Sequence, residues 1–326
     1  MSTPMIGEPM PGMEQTCLPV IGVCVLTYNS EEVILECLHA IERSLKDVSH
    51  ETVVVDNHSN DCSASIVERH YPEIKVVRSR VNTGYARGND LGAKYLVERG
   101  CKYIAFINPD VTVRQDTLAN MESVLSEHSD AGCVGGIAIS NGRVSKACFR
   151  TEPTFAERLW IYSVARDFPV VGMGLRGMIR RLEARHFIPT PPTAQPVYAV
   201  SGACIMFPAD IFSRIGGFDE ETFLFQEEFI ISERLRREGY RVYGVPDGVY
   251  DHVHGHSMRT GPRRPRWCFI QSEQHLLRTY YKWSRPKRGL LWSFRCIDFA
   301  AGETVVGLIR LYKKYTIPRT RSPGRA

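Results

Sequence analysis

Several groups of residues in this sequence have the types and spacing to do chemistry. The first is Asn108-Pro109-Asp110, which follows the apolar run Ile104-Ala105-Phe106-Ile107. Proline fixes φ at 109 and biases Asn108 toward an extended conformation, so a strand stops there and Asp110 is held out of the core. Asn-Pro-Asp is equally ordinary turn chemistry. The second is Glu227-Glu228 in "FQEEF". Neighbours on a helix do not share a face, so one of them at most points into a given site, and two solvated glutamates at a helix start is the plain alternative. The third is "DHVHGHS", where His252, His254 and His256 alternate. On a strand all three share a face, as zinc would want, whereas one His in an oxygen-rich site suits Mg2+ or Mn2+ at least as well. The fourth is Asp56-Asn57, at the end of the apolar run Val53-Val54-Val55. Its acid can accept hydrogen bonds from a nucleobase or cap the next helix.

A fifth stretch, "VNTGYARGND", supplies Gly84 and Gly88 for close backbone approach, with Asn82, Arg87 and Asn89 alongside. It is neither Gly-x-Gly-x-x-Gly nor a Gly-Lys-Ser/Thr phosphate loop, so dinucleotide-binding and ATPase readings lack their fingerprints.

These residues need elements to hold them. Val20–Leu26 reads as a buried strand that breaks at Thr27-Tyr28-Asn29, and Ser30 is a candidate N-cap for the helix in "SEEVILECLHAIERSL". The cycle repeats through "ETVVVDNHS", "SASIVERHY", "IKVVRS", "GNDLGAKYLVERG" and "YIAFINPD". Apolar strands alternating with amphipathic helices predict a parallel sheet covered on both faces, with ligands at the carboxyl ends of its strands. The clusters "TYN", "DNHS" and "NPD" fall at such ends. After Gly142 the rhythm loosens, and 150–196 is expected to be irregular or helical. A strand in "PVYAVSGACIMFP" and a helix in "FLFQEEFIISERLRREGY" follow.

The 326 residues suffice for a full core, and 43% hydrophobic with 24% charged residues is a globular composition. Ten cysteines without Cys-x-x-Cys spacing fit reduced, cytoplasmic thiols. Neither a secretory signal nor an 18-residue apolar span is expected. The net charge of +5 is uneven: Met258 to the end carries 16 Lys and Arg against 3 Asp and Glu, while residues 1–257 carry 25 against 33. An acidic body thus bears a basic tail, which seeks an anionic membrane, a nucleic acid or phosphorylated substrates. The tail lacks a nucleic-acid recognition motif, so no nucleic-acid partner is expected.

In their order, "TYN", "DNHSND", "NTGYARGND", "INPDV", "VSGACIMF", "GGFDE", "FLFQEE" and "HVHGHS" resemble a family-two glycosyltransferase with the GT-A fold, over about residues 20–257. Within that family the sequence resembles the bacterial rhamnosyltransferase-like enzymes of surface-polysaccharide synthesis. The resemblance implies an α/β fold of GT-A type: a Rossmann-like, mostly parallel sheet flanked by helices. It would span 19–257, with a nucleotide-sugar half (about 19–140) and an acceptor half (about 141–257). A loose arm (1–18) would precede it and a basic helical extension (258–326) follow.

The same resemblance implies roles. Asp110 would hold a divalent cation, Mg2+ or Mn2+, with His252 as second contact; Asn108 replaces the first acid of the family's Asp-x-Asp. Asp56 would contact the base, beside Thr27, Tyr28, Asn29 and Asn57. Asn82, Gly84 and Arg87 would line the diphosphate and sugar region, and Gly202 would also border substrate. Glu228 stands at the catalytic-base position with Glu227 beside it, where the family usually has Glu-Asp. The implied reaction is a single inverting displacement from a nucleoside-diphosphate sugar to a glycan or lipid-linked acceptor. The basic tail, with apolar and aromatic residues beside Lys313, Lys314, Arg319 and Arg321, adds the expectation of a peripheral place on an anionic membrane surface, the inner face of the cytoplasmic membrane. Two other readings remain. A nucleotidyltransferase would want a Gly-rich, basic loop where this chain has "TYNSEE". A non-catalytic sugar-nucleotide or glycan-binding module would not need Asp110, Glu228 and His252.

Overall fold

The computed structural model describes residues 20–163, 169–252 and 265–316, without the side chains of 169–174, 302–303 and 305–316. The expected arm (1–18), His254 and His256 lie outside the described residues.

The first half is a set of parallel crossovers. Strands β1 (Ile21–Thr27), β2 (His50–Asp56), β3 (Lys75–Arg78) and β4 (Tyr103–Ile107) lie in the order β3-β2-β1-β4, all parallel. Helices α1 (Ile34–Ser44), α2 (Ser63–His70) and α3 (Gly84–Glu98) connect them. β1 and β4 are buried almost throughout, as strands covered on both faces must be. Helix α1 starts a turn later than its sequence suggests. The Ser30 hydroxyl donates to the Tyr28 carbonyl (3.3 Å) instead of capping, and the Ser30 N–H donates to Ser63 Oγ (2.7 Å). A tertiary bond has displaced the local one.

Beyond β4 the sheet is mixed. β5 (Val111–Val113), α4 (Thr117–Glu127), β6 (Ala131–Ser140) and β7 (Arg143–Val144) come next in the chain. β11 (Cys204–Pro208) then inserts antiparallel between β4 and β6, with Cys204 opposite Ile107. β12 (Arg241–His252) runs parallel to β6 and antiparallel to β5. A buried apolar run reads alike in either direction, so the reversal has no local sequence signal. Its effect is functional. An antiparallel β11 begins at the edge where β4 ends, and the Asn108 N–H donates to the Ala203 carbonyl (2.9 Å).

Of residues 150–196, expected to be irregular or helical, the larger part of those described is helical. β8 (Phe149–Arg150) precedes α5 (Phe155–Ile161) and α6 (Pro169–His186). Thr154 and Glu157 cap α5 reciprocally, the Glu157 carboxylate accepting from Thr154 N–H (2.7 Å). β9 (Gln195–Val197) joins β12, and β10 (Ala199–Val200) pairs with β8. α7 (Ala209–Arg214) and α8 (Glu227–Arg237) flank the second half.

Helices α9 (Pro265–Thr279) and α10 (Arg285–Thr316) pack on this body through buried charge. The Arg295 guanidinium donates to both oxygens of Glu273 (2.8 and 3.2 Å) and to the Arg158 carbonyl, and Arg158 lies 3.5 Å from the same carboxylate. All three side chains are buried. Removing one member of such a cluster leaves an uncompensated charge and costs about 3–5 kcal/mol. Among the described residues no helix is long and apolar enough to cross a membrane. The nine described cysteines are all free.

Candidate functional site

The turn Asn108–Val111 is closed by Val111 N–H donating to the Asn108 carbonyl (3.1 Å), with proline at its second position. The turn reading therefore holds, and the reversal sends β5 back along β12, pairing Val111 with His252. That register brings His252 Nε2 to 3.4 Å from Asp110 Oδ1. Asp110 is buried, and its Oδ1 makes no hydrogen bond. A desolvated carboxylate oxygen without a donor is costly. Its separation from the imidazole nitrogen suits two groups that share one small cation. Among the described residues no third His, Cys, Asp or Glu joins them. Mg2+ and Mn2+ tolerate this, because substrate phosphates and water complete their oxygen shell.

Glu227 and Glu228 open α8, where the helix dipole favours negative charge. The preceding Phe225 and Gln226 both have φ of 72°, a left-handed backbone that side chains adopt at a cost of about 1–3 kcal/mol each. Surrounding bonds impose it. Tyr85 N–H donates to the Phe223 carbonyl (2.8 Å), Ser272 Oγ to the Leu224 carbonyl (2.9 Å), and Arg158 Nη1 to Gln226 Oε1 (3.2 Å). Gly84, at φ +84°, faces the Phe223 backbone at a distance no Cβ could tolerate. Asp219 ties this loop to α9, accepting from His275 Nε2 (2.7 Å) and Tyr280 Oη (2.6 Å). Burial works to raise the Asp219 pKa, but these bonds and the Glu221 N–H outweigh it and hold the carboxyl well below its usual range.

Glu228 Oε1 accepts from Arg150 Nη2 (3.1 Å). A Cβ on Gly202 would stand 3.3 Å from Glu228 Cγ, so glycine there leaves the carboxylate its room. Glu227 is buried, and its Oε1 lacks a hydrogen-bond partner. Burial, and then the adjacent Glu228 charge, push its pKa up to about 8. A carboxyl whose pKa is raised on folding stabilises the fold fully below its unfolded value, and that contribution is lost as pH rises through about 8. Glu227→Gln is therefore expected to gain on the wild type by about 5 °C or more in Tm between pH 6 and pH 9. Parallel melting curves for the two proteins would refute this.

One cavity of about 550 Å3 collects most of the expected residues: Tyr28, Asn57, Asn82, Gly84, Asn108, Asp110, Gly202, Glu227, Glu228 and His252. Its size is that of a small-molecule site. Leu26, Ile205, Phe218, Phe223 and Phe225 supply apolar walls, and Pro265 and Cys268 of α9 complete it. Asn57 also orders the glycine loop. Its amide donates to Asn82 Oδ1 and the Gly84 carbonyl (both 3.1 Å) and accepts from Thr83 N–H (2.9 Å).

Four expected residues are not among those lining the cavity. Thr27 is buried beside Asp56 in the β1/β2 register. Asp56 Oδ1 accepts from Ser59 N–H (3.0 Å), a turn cap, and Arg78 lies 3.9 Å from its other oxygen. Asn29 holds the neighbouring loop by accepting from Asn60 N–H (2.7 Å). Arg87 pairs with Glu220 (3.2 Å), both exposed. Sequence reasoning missed Arg150, Tyr85 and the α9 contribution. Tyr85 stood within the glycine stretch; nothing local marked Arg150.

Comparison with known proteins follows the same lines. The family model described as Glycosyl transferase family 2 matches residues 22–215. The chain is 22% identical over 269 residues to the N-acetylglucosaminyl-diphospho-decaprenol L-rhamnosyltransferase of Mycobacterium tuberculosis, covering 75% of this chain and 78% of that one. It is 25% identical over 273 residues to the dTDP-rhamnosyl transferase RfbF of Shigella flexneri, covering 80% and 77%. Among solved structures it resembles the mannosyltransferase PcManGT from Pyrobaculum calidifontis in complex with GDP-Man and Mn2+, with a TM-score of 0.50 at 19% identity over 94% of this chain and 83% of that one. This likeness is one of fold, the GT-A fold.

Proposed function

The chain belongs to glycosyl transferase family 2, and from that premise we propose an inverting, metal-dependent transfer of a sugar, rhamnose in the first instance, from a nucleoside-diphosphate donor to a glycan or lipid-linked acceptor of the cell surface. The observation that carries this reading is one cavity holding both the Asp110–His252 pair and the Glu227–Glu228 pair. Rhamnose and a lipid-linked acceptor are suggested by the names of the two relatives, and the two rhamnosyltransferases each align over most of their length.

Asp110 and His252 would hold Mg2+ or Mn2+, which when bound neutralises charge on a diphosphate leaving group. Asn82, Gly84 and the Asn57-ordered loop border the donor. Glu228 takes the proton from an acceptor hydroxyl, whose oxygen forms the new bond to the anomeric carbon as the bond to the diphosphate breaks. Displacement from the opposite side inverts that carbon. The apolar walls exclude water that would otherwise compete as acceptor. The test is incubation of the full chain with dTDP-rhamnose, UDP-GlcNAc, UDP-glucose and GDP-mannose while measuring free nucleoside diphosphate. Release from none of them, with or without Mn2+, would reject the reading.

Attachment to an anionic membrane is the second part of the proposal. On α10 Arg295 and Asp298 turn inward, Arg295 being 2% exposed, whereas Leu290 and Ile297 are 62% and 70% exposed. The sequence continues with Arg310, Lys313, Lys314, Arg319, Arg321 and Arg325. Each cation near an anionic leaflet contributes roughly 1 kcal/mol. Removing 302–326 keeps the packed Leu291, Arg295 and Asp298. It is expected to leave the body folded while weakening binding to phosphatidylserine vesicles by about tenfold or more. Equal binding to neutral and anionic vesicles, measured by co-sedimentation, would count against it.

A further inference from the structure

A carboxylate that serves as a base at the start of a helix, beside a second carboxylate, faces two problems. It must stay ionised despite its neighbour, and it must be held at one angle. Arg150 meets both. It sits on β8 opposite Ala199 of β10, two residues before Ser201 and three before Gly202. Arg150 Nη2 donates to the Val200 carbonyl (2.5 Å) and to Glu228 Oε1 (3.1 Å). The guanidinium carbon lies 4.8 Å over the Phe229 ring, the residue directly after the base. The side chain is 9% exposed, so solvent screens the pair little. Glu228 is thereby held by Arg150, while the absence of a Cβ on Gly202 leaves its side chain room on the other side.

Resting on the reading of Glu228 as base, we propose that Arg150 is its positioning residue, keeping the carboxylate charged and aimed while touching no substrate itself. The other groups around it act in known directions. Glu227, adjacent on α8, has its pKa pushed up to about 8 by burial and then by the Glu228 charge. Tyr85 of α3 and Tyr162 after α5 are near enough to Glu228 to feel its charge, and both hydroxyls are kept neutral, chiefly by burial. His186 of α6 accepts or donates with Tyr162 Oη (2.7 Å); burial, then Arg150 and Arg158, hold it neutral with a pKa lowered to about 3. Arg158 of α5 also lies over the Phe229 ring, 5.2 Å from its centroid, and is engaged by Glu273. Among the described residues, Arg150 is thus the cation bonded directly to Glu228.

The test uses the full chain and the nucleotide sugar of the four-donor panel that the wild type turns over, with kcat and donor KM measured from pH 5 to 10. Arg150→Gln keeps a donor for the Val200 carbonyl and removes the charge. It is expected to move the acid limb of kcat upward by about one pH unit or more, so that kcat falls by up to about tenfold along that limb and recovers to near the wild-type value at high pH. Donor KM should stay within about twofold, because uniform binding is untouched. Arg150→Lys should keep the wild-type limb. In a Glu228→Gln background, Arg150→Gln should add less than about a twofold further loss. A fall in kcat equal at every pH, loss in both variants alike, or a raised donor KM would overturn the proposal. A wild type that turns over no donor would instead reject the catalytic reading on which it rests.

Discussion

Asp110→Asn is expected to reduce sugar transfer by about 100-fold or more while Tm stays level or rises. The substitution keeps shape and removes the charge that would attract a cation. Asp110 is buried with Oδ1 unbonded and 3.4 Å from His252, so its carboxylate contributes little to the fold and its desolvation works against it. A site rich in unsatisfied charge is a place where activity and stability trade against each other. Wild-type protein in excess EDTA should match the variant and regain activity with Mn2+ or Mg2+; the variant should regain none. Full turnover by Asp110→Asn in chelator would eliminate the metal from the proposal.

Glu228→Gln carries the other large effect. The amide retains a carbonyl oxygen for Arg150 and fits beside Gly202, so donor KM should change little. What it loses is proton acceptance, and kcat is expected to fall about 10²-fold or more. Glu227→Gln provides the contrast. Its side chain has a raised pKa of about 8 and is largely protonated at neutral pH, so replacing it by a neutral amide should cost kcat far less. If Glu227→Gln shows the greater loss, the two assignments are exchanged, and the raised pKa then belongs to a base poised near the working pH.

Much of this site could be read along the chain. Asn108-Pro109-Asp110 announces itself because proline dictates the backbone on both sides of it, and the strand ends follow from apolar runs that stop. The glutamate pair falls at the first turn of its helix, within the segment whose pattern indicates a helix. The charges of the last helix read differently. Arg295 and Asp298 look like interruptions of an apolar face, yet both are buried: Glu273 neutralises Arg295, which also donates to the Arg158 carbonyl, and Ser163 Oγ donates to Asp298 Oδ1 (2.8 Å). Likewise Arg87 has the type and place of a diphosphate ligand, but its nearest recorded partner is Glu220, 133 positions along the chain.

What the sequence determined by itself is what depends on neighbours within a few positions: where strands stop, which glycines permit close approach, and which acids stand at the ends of buried runs. What only the tertiary structure decided is who meets whom across the sheet. The antiparallel entry of β11 sets Gly202 beside the end of β4, and the pairing of β5 with β12 sets His252 against Asp110. The two-stranded β8/β10 ladder delivers Arg150 to a carboxylate 78 residues away. A buried strand shows the same apolar face in either direction and in any register, so its composition is silent on these choices. They are made by the packing of the whole sheet, in which a single-residue slip would turn every side chain to the opposite face.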